Sequence, residues 1–95
     1  MIKLTVTYPK GEGITFDHEY YATKHVPMCE EAFTPARVEL DKGIDGPAAA
    51  SVSFYFETMD KFNAAMASPR MGEIMSDLGN YTNGVPTMQI SSVVK

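Results

Sequence analysis

The chain has 95 residues, 44% of them hydrophobic and 21% charged, with a formal net charge of −4. That length makes one domain spanning residues 1–95, and the composition is that of a folded protein rather than a disordered one. The acidic balance with scattered cations excludes a nucleic-acid surface, the single cysteine (Cys29) excludes an internal disulfide framework, and no apolar run approaches the ~20 residues that span a bilayer. Because the chain opens on an alternating pattern rather than an apolar leader, a cytoplasmic protein is expected.

Residues 1–8 alternate, with Ile2, Leu4, Val6 and Tyr8 on one face and Lys3, Thr5 and Thr7 on the other. Period two with β-branched residues predicts a half-buried strand, ended by a loop at Pro9, Gly11 and Gly13. Asp17 is a good helix N-cap, and Glu19 follows in the first turn, where the helix dipole favours an anion. Tyr21, His25, Met28, Cys29 and Ala32 then share one helical face. Pro27 lacks the N–H that would bond the Thr23 carbonyl, so a kink or break is expected between His25 and Met28.

Residues 36–42 alternate with one charged face (Arg37, Glu39, Asp41), as at a sheet edge. After a turn at Gly43–Pro47, residues 48–57 predict a third strand with Ala50, Val52, Phe54 and Phe56 inward. Thr58 caps a second helix carrying Met59, Phe62, Ala65 and Met66. Ser68-Pro69 reads as a fresh helix start, and Gly79 as its C-terminal cap. Residues 87–94 alternate as a fourth strand. The order β-α-β-β-α-β is the ferredoxin-like arrangement, an α+β fold with helices on one face of a four-stranded antiparallel sheet.

The sheet face away from the helices would carry Thr5, Thr7, Ser51, Ser53, Tyr55, Thr87, Gln89, Ser91 and Val93, with almost no charge. Small hydroxyls suit a covered face that must still satisfy its polar groups. A homodimer is therefore expected, with two sheets packed face to face.

His25 is the first candidate for chemistry. A histidine in a partly apolar pocket can be a neutral general base near pH 7 or a polar anchor for a ligand. The alternative is a buried histidine bonded to a backbone group, such as the carbonyl freed by Pro27. His18 reads as a surface residue. It cannot share a metal with His25, since seven helical residues rise about 10 Å. Cys29 lies four residues from His25, a spacing that admits a Cys–His pair, but a small buried hydrophobe is the plainer reading. Tyr8, Tyr20, Tyr21, Phe54, Phe56 and Tyr81 could line an aromatic pocket, or simply fill the core. Asp77 and Asn80 could tie the loop after the second helix. The GEG segment (Gly11–Gly13) lacks the Lys-Ser/Thr of a phosphate loop.

The run YPKGEGITFDHEYYATKHVPM, Tyr8 to Met28, resembles the opening signature of the EthD family, named for ethyl tert-butyl ether degradation. The stretches SVSFYFETMDKFNAAMASP and DLGNYTNGVPTMQI resemble it too. The resemblance implies a ferredoxin-like fold and a homodimeric α/β barrel. It carries over His25 as the recurrent histidine of the first helix, with Asp17, Tyr20 and Tyr21 as motif neighbours, and Asp77, Asn80 and Tyr81 as a second motif. Met28 stands where leucine is common. The wider superfamily includes cofactor-free monooxygenases, isomerases, decarboxylases, cyclases and haem-degrading enzymes. What it implies here is an oxidoreductase-like protein without a tightly bound cofactor, acting on a small apolar or aromatic molecule. The rivals are a non-catalytic carrier of a hydrophobic metabolite, other chemistry on the same fold, and haem binding through His25.

Overall fold

The structure, a computed structural model, describes all residues 1–95. Strands β1 (Ile2–Pro9), β2 (Arg37–Lys42), β3 (Ala48–Phe56) and β4 (Thr87–Ser92) form one antiparallel sheet in the order β2-β3-β1-β4. The first helical run contains α1 (His18–Tyr20), a π-helical turn (Tyr21–His25) and α2 (Val26–Phe33). The second contains α3 (Met59–Met66), α4 (Met71–Ser76) and a 3-10 turn (Asp77–Asn80). This is the ferredoxin-like fold that the alternation predicts.

The register explains the core. Leu4 in central strand β1 pairs with Phe54 on one side and Ile90 on the other. Leu4, Tyr8, Val52, Phe54 and Phe56 meet Tyr21, Val26, Cys29, Phe33, Phe62, Ala65 and Ile74 from the helices in one buried cluster. Met88 and Ile90 also point to the helix side, yet they are 57% and 53% exposed. The reason is topological: β4 is an edge strand, and the helices cover the strands inside it. The charged β2 is the other edge, as its sequence predicts.

Two caps follow the sequence. Asp17 accepts the Tyr20 N–H at 3.0 Å, and Thr58 accepts the Lys61 N–H at 3.2 Å. Three local expectations are corrected. Strand β1 runs one residue further and includes Pro9, with an irregular register between Tyr8 and Pro9 where proline cannot donate. Gly79 does not end its helix in a left-handed turn. The chain tightens into the 3-10 turn through Asn80, and the left-handed cap is Thr34 (φ 46°) at the end of α2. Finally, Pro27 does not break the helical run. It lies in the first turn of α2, where a missing N–H is tolerated, because the preceding residues loosen into a π turn with the Val26 N–H on the Tyr21 carbonyl. No helix is long and apolar enough to cross a membrane.

Candidate functional site

The π turn is the local device that builds the site. Single π turns inside α-helices recur at functional sites because they re-aim side chains. Here the turn begins at Tyr21 and ends at His25, and both side chains are buried with their rings stacked 5.5 Å apart at 15°. Opposite them, the 3-10 turn presents Asp77, and the residue after it presents Tyr81.

His25 Nδ1 lies 2.9 Å from Asp77 Oδ2. His25 Nε2 lies 3.3 Å from the Tyr81 hydroxyl, which lies 2.8 Å from the Tyr8 hydroxyl. Asp77 Oδ1 accepts from the Tyr20 hydroxyl at 2.7 Å and from the Asn80 side-chain amide at 2.8 Å. Burial alone would raise the Asp77 pKa. The hydrogen bonds from Asn80, Tyr20 and His25 outweigh it and hold the carboxyl below its ordinary range. Asp77 is thus an anion near neutral pH and can only accept, so Nδ1 is its N–H donor. In the neutral imidazole Nε2 is then the acceptor, taking a bond from Tyr81 O–H. Tyr81 in turn accepts from Tyr8. The chain of donors runs one way, from Tyr8 through Tyr81 and His25 to Asp77.

His25, Tyr8 and Tyr81, with Tyr21, wall a cavity of about 80 Å³ between the sheet and the helices. Its other lining is apolar, with Leu4, Val6 and Phe54 at the sheet and methionines Met66, Met71, Met75 and Met88 among the helical and edge residues. Methionine is flexible and polarizable, so this wall can adapt to a guest. Lys and Arg are absent from the lining. Burial pushes the Tyr8, Tyr21 and Tyr81 hydroxyls upward in pKa, which keeps them protonated.

The structure therefore brings His25, Tyr8, Tyr21, Tyr81 and Phe54 to one cavity. Tyr20, Asp77 and Asn80 stand behind His25 rather than on the wall, and Phe56 packs in the core against Phe62 at 5.8 Å. His25 is not bonded to a carbonyl freed by Pro27; its partners are a carboxylate and a phenol. The Cys–His pair is absent as well. Both imidazole nitrogens are engaged elsewhere, and the buried Cys29 thiol is pushed up to about 12, chiefly by burial. His18 is half-buried, its ring 4.7 Å from Phe16. A haem iron would compete with Tyr81 for Nε2, and the cavity is too small for a porphyrin. No three His, Cys, Asp or Glu side chains converge.

Sequence reasoning missed the clamp that places Tyr81. The buried Thr82 hydroxyl donates to the Thr15 carbonyl at 2.7 Å, and Asn83 bonds the Thr15 N–H and the Gly13 carbonyl. Gly84 lets this loop approach β1, since a Cβ there would sit 3.1 Å from Pro9 Cγ and 3.2 Å from Ile14 Cγ2. The polar and glycine-rich composition of both loops was visible, but their mutual contact was not.

With this geometry in hand, the likeness to known proteins is informative. An EthD-like protein from Ralstonia eutropha JMP134 is 38% identical, with 99% of this chain and 92% of that chain covered and a TM-score of 0.88. This chain belongs to the EthD family. An uncharacterized 11.0 kDa protein of the thcB–thcC intergenic region of Rhodococcus erythropolis is 32% identical to this EthD-like chain over 94 residues, covering 93% of it and 90% of the relative. SnoaB, a cofactor-independent oxygenase from Streptomyces nogalater, is 11% identical with a TM-score of 0.69, covering 99% of this chain and 93% of that one, a likeness of fold alone. No family model matches the chain.

Proposed function

We propose that this EthD-family protein acts on a small apolar or aromatic molecule in the His25 cavity, as an oxidoreductase of the cofactor-free monooxygenase kind. The observation that carries the reading is His25 at the wall of an otherwise apolar cavity, with Asp77 behind it at 2.9 Å. Asp77 fixes the tautomer and would stabilise the imidazolium formed when His25 takes a proton. A substrate X–H beside Tyr8 can give its proton to the Tyr8 oxygen as Tyr8 passes its own to Tyr81 and Tyr81 passes its own to Nε2. The net result is a substrate anion and a His25 imidazolium facing Asp77. Such an electron-rich anion can react with dioxygen directly. One oxygen atom then enters the substrate, and the other leaves as water with the two hydrogens the substrate loses.

A second reading rests on the same contacts. With Nδ1 on Asp77 and Nε2 on Tyr81, His25 would serve only to hold the tyrosine hydroxyls in place, and the protein would carry its ligand without turnover. Oxygen uptake separates the two. Purified protein is given small enolisable ketones and phenols without added metal or flavin. The enzyme reading expects uptake that is lost in His25→Ala and kept in His18→Ala. Uptake equal in wild type and His25→Ala overturns the role of His25, and binding without uptake favours the carrier.

The working unit in this proposal is a homodimer. Its support is the hydroxyl-rich open sheet face, where Thr5 and Ser53 lie 3.3 Å apart, and the exposed Met88 and Ile90 on β4. Sedimentation at micromolar concentration should give a dimer; a monomer overturns this part.

A further inference from the structure

One buried side-chain oxygen in the protein has no hydrogen-bond partner, and it is the Tyr21 hydroxyl. The residue is 1% exposed and lines the cavity. The Tyr8 hydroxyl is its nearest polar neighbour, close enough to influence its titration but without hydrogen-bond geometry. The rings of Tyr8 and Tyr81 each lie 5.0 Å from the Tyr21 ring, but their hydroxyls bond each other. A phenylalanine would fill the same space without stranding a polar group, so packing does not account for the oxygen. Tyr21 is also the first residue of the π turn, the local departure from helical geometry that aims this part of the chain.

Resting on the reading of this cavity as the ligand site, we infer that the Tyr21 hydroxyl donates a hydrogen bond to an oxygen of the bound molecule. That molecule is a small neutral one with an accepting oxygen, of the carbonyl or phenol kind, on an apolar frame. The acceptor follows from the donor chain. Tyr8, Tyr81 and the His25 Nδ1–H are all spent on one another and on Asp77, so Tyr21 holds the remaining O–H in the cavity. Neutrality follows from the wall, which has no cation to pair with an anion and stands close to the ionised Asp77.

The test uses two probes of the same shape, cyclopentanone and methylenecyclopentane, which differ in the accepting oxygen. Occupancy is read from the methyl NMR resonances of Met66, Met71 and Met75, and hydrogen bonding from the carbonyl carbon shift of labelled ketone. Wild type should bind the ketone about tenfold more tightly than the alkene, the range of one hydrogen bond. Tyr21→Phe should lose that preference or reverse it, and His25→Gln should keep it. A preference that survives in Tyr21→Phe and vanishes in His25→Gln overturns the inference and leaves His25 as the anchor. Resonances unmoved by either probe in every protein overturn both this inference and the ligand cavity itself. A second measurement needs no ligand: Tyr21→Phe should melt no lower than wild type. A fall of several degrees would mean that the hydroxyl is bonded within the folded protein, against the inference.

Discussion

The two aromatic groups of the core behave differently. On one side, Phe33 meets Phe54 at 5.5 Å and 85°, and Phe56 meets Phe62 at 5.8 Å and 75°. These edge-on pairs need no polar partner. On the other side, Tyr8, Tyr21 and Tyr81 crowd within 5.0 to 5.6 Å of one another beside His25. Each brings an oxygen into the interior, and only two of the three find a partner there. The phenylalanine group packs without polar atoms, even where Phe33 and Phe54 reach the cavity wall. In our proposal the tyrosine group gives up some stability to hold polar atoms for a ligand, as functional sites do.

The comparison breaks first at the phenylalanine group. Phe54→Ala removes a buried ring and should cost about 3–5 kcal/mol in urea unfolding, the usual range for such a truncation. A smaller loss would mean that this group is not the stable half. Next comes Asp77→Ala, which leaves Nδ1 of the buried His25 unpartnered and should cost about 1–3 kcal/mol. Any turnover that depends on His25 should fall with it by about a hundredfold or more, measured as initial rate.

The pH dependence is subtler. The folded Asp77 carboxyl sits below its ordinary pKa, so its contribution is fully present above about pH 4. It is lost as pH falls through the lower folded value, because the folded state then binds the proton that the unfolded state already holds. Acid unfolding of Asp77→Asn should show a flatter stability profile below about pH 4 than wild type. An unchanged slope would take Asp77 out of the acid response. Smallest of all is Tyr21→Phe, whose effect on the ligand-free protein should be near zero or stabilising, unlike a cut anywhere among the phenylalanines.

Much of the fold was legible because its signals are local. Alternation marked four strands, and Asp17 and Thr58 marked two helix starts. The uncovered edge was not legible. Met88 and Ile90 alternate as core residues do, and only strand order leaves them exposed. In the site, His25 and Tyr21 could be found from helical spacing and the family motif. The tie between His25 and Asp77 spans 52 positions, and nothing local announces it. Pro27 misled for a physical reason. A proline in a helix has two remedies, a break or a shift of hydrogen-bond register, and sequence does not choose between them. The register shift lies over Tyr21–His25, whose rings stack at 5.5 Å.

The central claim is that Asp77 fixes His25 with the proton on Nδ1 and the accepting lone pair of Nε2 turned to Tyr81. Nitrogen-15 NMR of the imidazole side chains reads this directly, with His18→Gln assigning the spectrum of the two histidines. The account predicts that the neutral form of His25 carries its proton on Nδ1 and none on Nε2, a form that Asp77→Ala disturbs. A His25 protonated on Nε2, or a spectrum indifferent to Asp77, would contradict it.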